Sequence, residues 1–213
     1  METKSSTSNT GGFSLANCLL TVALLFGSAA SYAQAAAGTG PTANCTECHG
    51  SDGLSFKPGI PHLNGQAEVL LTNMITAFQQ GKRSTKVKMH RDIPAADVAR
   101  LAKHYAEQKA QRPKSATKPE LVARGETLYQ NRCADCHLDN GRDSDKEAPL
   151  MAAQDMDYLI AQTLAFKTGE RKFPFLMDGA YKNLSDDDLT ATAHFFAAQD
   201  QVAPQQQGRK RRR

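Results

Sequence analysis

The chain has 213 residues, 40% of them apolar and 23% charged, which suits one medium globular domain or two small ones and excludes a wholly disordered chain or a polytopic membrane protein. The formal charge of +4 misleads as an average. The final run Arg209-Lys210-Arg211-Arg212-Arg213 supplies +5, so the rest of the chain is close to neutral and offers no basic face for nucleic acid.

In chain order, the first segment reads as an export signal spanning residues 1–33. Lys4 lies in a polar leader, Leu19-Leu20-Thr21-Val22-Ala23-Leu24-Leu25-Phe26 is an apolar run, and Ser31-Tyr32-Ala33 fits a small-x-small cleavage site. The apolar run is too short to span a bilayer, so cleavage after Ala33 is expected, and with it the loss of Cys18. Every remaining cysteine then belongs to one of two five-residue patterns, Cys45-Thr46-Glu47-Cys48-His49 and Cys133-Ala134-Asp135-Cys136-His137.

These patterns are the anchor points of an internal repeat, the feature that fixes the architecture. A shift of 88 superimposes Cys45, Cys48 and His49 on Cys133, Cys136 and His137. Without a gap it also aligns Gly53 with Gly141, Pro61 with Pro149, Gln66 with Gln154, Phe78 with Phe166, Arg83 with Arg171 and Met89 with Met177. Beyond the methionines the offset becomes 91. Each unit ends in an amphipathic helix, marked by Val98, Leu101, Ala102 and Tyr105 in the first and by Leu189, Thr192, Ala193 and Phe196 in the second. Ser185 with Asp188 predicts the N-cap of the second of these.

An earlier helix in each unit carries Leu71, Met74, Ile75 and Phe78, or Leu159, Thr163 and Phe166, with Gly81 and Gly169 as the stops. The second unit also begins with a helix from about Pro119 to Gln130, whereas the residues before Cys45 allow only a short one or none. Lys109 to Pro119 is polar, proline-punctuated and reads as a linker. No convincing strand pattern is present. The expectation is an all-α protein with a first domain at 34–110, a linker at 111–119, a second domain at 120–203 and a basic tail at 204–213.

Four origins compete for Cys-x-x-Cys-His: covalent haem attachment, a zinc knuckle, a dithiol redox pair and chance. Chance predicts about 0.003 matches from this chain's cysteine and histidine frequencies. A zinc ribbon brings its pairs close in sequence, but 84 residues separate Cys48 from Cys133. A thioredoxin-type dithiol requires a βαβ setting and no adjacent histidine. Haem attachment uses every residue of the motif: Cys45, Cys48, Cys133 and Cys136 tether two haem c groups, and His49 and His137 ligate iron from the same turns. A buried macrocycle also supplies apolar surface that a domain of this size lacks.

The repeat selects the opposite ligand. Of the methionines beyond the leader, only Met89 and Met177 pair under the shift, each 40 residues after its histidine, and thioether ligation opposite histidine is a known haem arrangement that raises the reduction potential. His90 is the rival in the first unit, but its counterpart is Asp178. Met74 and Met151 read as core residues, and His62, His104 and His194 as packing or surface residues. Pro61 and Pro149 are either ordinary turn prolines or carbonyl acceptors for the axial imidazoles. Arg83 and Arg171 either neutralise haem propionates or simply close helix ends.

These residues resemble class I cytochromes c. With Pro58-Gly59-Ile60-Pro61 and Gly65-Gln66 after the first motif, the arrangement is similar to the dihaem cytochrome c4 family and to the cytochrome subunit of flavocytochrome c sulfide dehydrogenase. The resemblance covers about residues 42–200. It implies two tandem class I cytochrome c domains about a pseudo-twofold axis, in the periplasm, moving electrons among a quinol-oxidising complex, a terminal oxidase or a flavoprotein dehydrogenase. Leu138 stands where the first copy has Gly50, and 141–147 is more charged than its counterpart, departures from the family pattern that leave the second haem environment open.

The function expected is electron transfer without a catalytic residue, the protein setting potential, exposure and docking. One alternative is the haem subunit of a dehydrogenase complex. A dihaem peroxidase is another, and it needs an open iron position that the paired methionines argue against. The tail at Arg209–Arg213 is either a solvated extension or a contact for anionic lipid or an acidic partner.

Overall fold

The computed structural model describes residues 44–109, 111–172 and 177–202, all within one compact unit, Ala36–Arg213. The segment read as an export signal, the other residues preceding Asn44 and the arginine tail lie outside the described residues. Regular structure among the described residues is entirely helical: α1 Thr46–His49, α2 Glu68–Gln79, α3 Lys88–Arg91, α4 Ala95–Ala106, α5 Pro119–Arg132, α6 Leu138–Gly141, α7 Met156–Lys167, α8 Met177–Tyr181 and α9 Asp186–Ala198.

The long helices follow from the expected patterns. In α4, Val98, Leu101, Ala102 and Tyr105 form the buried stripe, and α4 packs on α2. In α9 the apolar face widens to include Phe195 and Phe196 because the helix is gripped from two sides, by α5 and by α7. Its N-terminus is the anticipated capping box, with Ser185 Oγ accepting from Asp188 N and the Asp188 carboxylate accepting from Ser185 N. Helix α5 begins with Pro119 in its first turn and runs to Arg132, directly against Cys133. It approaches α9 so closely at Gly125 that a Cβ there would lie 2.1 Å from the Ala191 carbonyl oxygen.

The repeat is legible bond by bond. Gly53 O accepts from Leu63 N at 2.8 Å, as Gly141 O does from Met151 N at 2.8 Å. Gly65 N donates to Tyr105 O at 3.1 Å, and Ala153 N to Phe196 O at 3.0 Å, clamping each loop to its last helix. Gly81 and Gly169 both take positive φ after α2 and α7, as a helix stop requires.

One turn breaks the correspondence. After His49 the chain turns through Gly50 at φ 72°, where a Cβ would meet Leu54 O at 2.3 Å. Leu138 cannot serve there. The left-handed conformation moves instead to Asp139 (φ 45°) and Asn140 (φ 56°), residue types whose short polar side chains tolerate it. Leu138 is left exposed.

Across the seam between the halves the bonding is reciprocal. Gln66 Nε2 donates to Leu150 O and Gln66 Oε1 accepts from Leu150 N, both at 2.8 Å. Its repeat partner Gln154 does the same to His62, donating to His62 O at 2.9 Å and accepting from His62 N at 2.7 Å. Residues 111–118 have no regular structure, consistent with a connector, but Arg112 within it departs from the solvated linker expected. It is only 3% exposed, and its guanidinium donates to Asn64 O (2.7 Å), Asn64 Oδ1 (3.0 Å), Leu150 O (3.0 Å) and Ala152 O (3.4 Å). Burial pulls this guanidinium down to about 9, so it remains a cation at neutral pH, satisfied by carbonyl oxygens from both halves.

Gln66→Ala is expected to leave the Leu150 amide unbonded inside the protein and its carbonyl with only the bond from Arg112. Stability should fall by about 1–3 kcal/mol, measured as a lower denaturation midpoint. Gln154→Ala should cost at least as much, because it removes the bonds to both the amide and the carbonyl of His62.

Candidate haem sites

Each Cys-x-x-Cys-His motif is wound into a single tight turn. His49 N donates to Cys45 O and His137 N to Cys133 O, both at 2.9 Å, so two thiols and an imidazole project from one short stretch of backbone. Both imidazoles are buried, and burial pushes each below its ordinary pKa, leaving a neutral ring with a nitrogen lone pair to offer a metal. Burial pushes the Cys133 thiol up to about 11 and raises Cys45 as well. Redox dithiols work through a lowered thiol pKa, so this environment disfavours a dithiol site. Among the described residues, no three His, Cys, Asp or Glu side chains converge as a metal cage, which disfavours zinc.

In the second half a cleft open to solvent on one side is lined by Cys133, His137 and Met177 among apolar walls that include Leu159, Tyr181 and Phe196. A thiol, an imidazole and a thioether at one apolar cleft are three of the four side chains that a covalent, six-coordinate haem c would use; the second thiol, Cys136, is exposed and does not line the cleft. Residues 173–176, just before Met177, lie outside the described residues.

The two histidines are held differently. His49 Nδ1 lies 3.0 Å from Pro61 O, realising the carbonyl contact anticipated for the first loop and fixing the tautomer that leaves Nε2 bare. The matching contact does not form in the second half: His137 Nδ1 is buried with no hydrogen-bond partner. The altered turn at Leu138–Asn140 follows directly after this histidine, and Tyr129 Oη ties that turn down by donating to His137 O (2.7 Å) and accepting from Asn140 N (2.8 Å).

The two proposed sixth ligands are also placed differently. Met177 lines the cleft with His137. Met89, on α3, is 43% exposed, while its neighbour His90 stacks on Phe78 with centroids 4.9 Å apart.

A further cluster was only half legible in sequence. Arg83 lies over the Phe78 ring at 4.6 Å and Arg171 over Phe166 at 4.3 Å, each a cation–π contact at equivalent repeat positions. They meet across the seam. Arg83 donates to Tyr158 Oη (3.0 Å), Gln162 Oε1 (3.1 Å) and Met74 Sδ (3.3 Å), and Arg171 to Gln162 Oε1 (2.8 Å) and more distantly to Met74 Sδ (3.8 Å). Met74 is therefore a polar partner at the seam and departs from the core role expected of it. Burial opposes ionisation of Tyr158, but the two guanidiniums outweigh it and hold the hydroxyl below its ordinary pKa. Burial and the neighbouring Arg83 bring Arg171 down to about 10. Among the described residues neither arginine has a carboxylate partner, so the pair is a concentration of positive charge suited to acidic groups.

Two helical halves, each presenting Cys-x-x-Cys-His on one turn, define a c-type cytochrome with two haem stations. Residues 122–199 match the family model "Cytochrome c". Cytochrome c4 of Azotobacter vinelandii is 31% identical over 205 residues, covering 85% of this chain and 96% of the relative. The thiosulfate dehydrogenase electron acceptor of Thiomonas intermedia is 29% identical over 171 residues, covering 74% of this chain and 79% of that one. The crystal structure of reduced recombinant cytochrome c4 from Pseudomonas stutzeri superposes with a TM-score of 0.67 at 27% identity, covering 76% of this chain and 97% of that one. The chain belongs to the cytochrome c4 family. It is a dihaem electron-transfer protein with covalently attached haem c, not an enzyme in its own right.

His62 and His194 prove to be buried packing residues. His62 Nδ1 accepts from Ser55 N at 3.0 Å, and burial, with Arg112 and His49 nearby, lowers its pKa to about 4. Below its ordinary value of 6.5 the unfolded imidazole takes a proton that the folded one refuses. Stability should therefore fall as pH drops from 6.5 toward 4, by about 3 kcal/mol in full. Denaturation midpoints across that window, compared with His62→Gln, check this, the variant giving the flatter profile.

Proposed function

We propose that this protein is a periplasmic electron carrier whose two haems are each ligated by histidine and methionine. Cys45 and Cys48 tether the first and Cys133 and Cys136 the second. His49 and Met89 are the axial ligands of one iron, His137 and Met177 those of the other. The domains that hold them are residues 34–110 and 120–203. The observation that carries this reading is the convergence of Cys133, His137 and Met177 on one apolar cleft, in a half whose residues 133–177 align without a gap to 45–89 of the other.

Haem supplies a one-electron couple, and the chain performs the remaining tasks. The thiols fix which face each histidine meets. Thioether ligands favour the reduced state and raise the potential. Pro61 O holds the first imidazole, and Arg83 and Arg171 are the natural partners for haem carboxylates at the seam. The unlike surroundings of His49 and His137 imply two different potentials.

Export is supported by the leader, and among the described residues no helix is long and apolar enough to cross a membrane. The partners are redox proteins: a terminal oxidase, a quinol-oxidising complex or a flavoprotein dehydrogenase. A second reading, a haem subunit or acceptor serving a dehydrogenase, is favoured by the similarity to a thiosulfate dehydrogenase electron acceptor. Co-purification with a catalytic subunit distinguishes it from the free carrier.

Mass spectrometry of the exported protein should give the chain from residue 34 plus two haems, and bare polypeptide would overturn the proposal. Met177→Ala is expected to lower the potential of one centre only and to let the reduced protein bind carbon monoxide there, read by redox titration and difference spectra. If Arg209–Arg213 docks an acidic partner or lipid, deleting it should slow electron transfer at low salt and flatten the salt dependence. An unchanged slope would assign the tail no docking role.

A further inference from the structure

The first half brings a second imidazole to face His49. His90, on α3, lies with its ring flat against Phe78 at an interplanar angle of 28°, and its Nδ1 is 3.1 Å from Thr85 Oγ1. The Thr85 hydroxyl donates to Val87 O at 3.5 Å, so it accepts Nδ1–H from His90 and Nε2 is the bare nitrogen, as it is in His49, whose Nδ1 is directed to Pro61 O. The two ring centroids are 6.1 Å apart and the planes are tilted by 36°. Two imidazoles sharing one metal ion through nitrogens at about 2 Å each would have centroids roughly 6 Å apart. The spacing across this crevice is therefore that of a bis-imidazole pair, whereas Met89, which the repeat selects, is partly exposed to solvent. The second half has no such competitor, since the position equivalent to His90 is the exposed Asp178 and Met177 already lines the cleft with His137.

We propose that His90 Nε2 is a second donor for the iron of the first haem, opposite His49, and that it takes the sixth position whenever the Met89 thioether is released. This rests on the two-haem reading above. It makes the first site able to exchange sulfur for nitrogen while remaining six-coordinate, and the second site unable to do so. Because a thioether raises the potential, the exchanged form of the first haem has the lower one. Phe78 and Thr85 are the positioning residues: one holds the ring plane, the other the tautomer.

The test uses the full-length holoprotein as wild type, Met89→Ala, Met89→Ala with His90→Ala, and Met177→Ala. The readouts are electron paramagnetic resonance of the ferric form, potential, and carbon monoxide binding to the reduced form. Haem content by mass is checked first, because a shortfall there tells against the two-haem reading and not against His90. Met89→Ala is expected to remain entirely low-spin with a bis-imidazole signal and a lowered potential, and to bind no carbon monoxide. Adding His90→Ala should open one of the two haems to carbon monoxide and make it high-spin, the state Met177→Ala reaches with a single change. The proposal is overturned if Met89→Ala alone binds carbon monoxide as fully as the double variant, or if the double variant stays low-spin through another donor. Should Met89→Ala fail to mature, mild heating of ferric wild type, which releases the weak thioether first, should produce the bis-imidazole signal. Its absence in wild type, or its persistence in His90→Ala, would equally overturn the assignment.

Discussion

The structure depends on a seam built from main-chain bonds. Gln66 and Gln154 each hold both the amide and the carbonyl of one residue in the opposite half, and Arg112 adds bonds to carbonyls on both sides. Buried backbone groups left unpaired are costly, so these side chains fix loops that would otherwise need water. The loops in question are the ones that serve the haem sites. Pro61, whose carbonyl holds His49, is followed by His62, which Gln154 grips, and Leu150 precedes Met151, which lines the cleft of His137. Holding the halves together and shaping the sites are thus the work of the same few residues.

The electrostatics point the same way. Arg83 and Arg171 converge at the seam, stacked on equivalent phenylalanines and sharing Gln162. Like charges brought this close inside a protein are tolerable only with compensating acceptors or anions. The Tyr158 hydroxyl, the Gln162 carbonyl and the Met74 sulfur supply part of this, and acidic groups on a cofactor would supply the rest.

Much of this was legible in the sequence because a repeat carries information that single positions do not. The shift of 88 located both motif turns, the long helices and the equivalence of Gln66 with Gln154, and apolar spacing located α2, α4, α7 and α9. The short helices α1, α3, α6 and α8 were not legible, since four or five residues carry too little periodicity. Arg112 was read as linker because polarity and proline mark a connector whether or not one of its side chains turns inward. The missing acceptor for His137 was hidden by the repeat itself, which left Pro61 and Pro149 equally open as turn prolines or carbonyl acceptors. The local signal was present in Leu138, which cannot take the conformation of Gly50, but its effect three-dimensionally lay in the turn that followed. Likewise, register favoured Met89, and only side-chain packing placed His90 across from His49.

The glutamine bridges grip peptide groups and ignore side-chain identity. His62 and Leu150 occupy equivalent places and are chemically unlike, yet each is bound in the same bidentate manner. After a duplication, therefore, the two copies could drift apart at these contact positions without loosening their union. Such latitude lets a duplicated module surround its two motif histidines differently within a common frame.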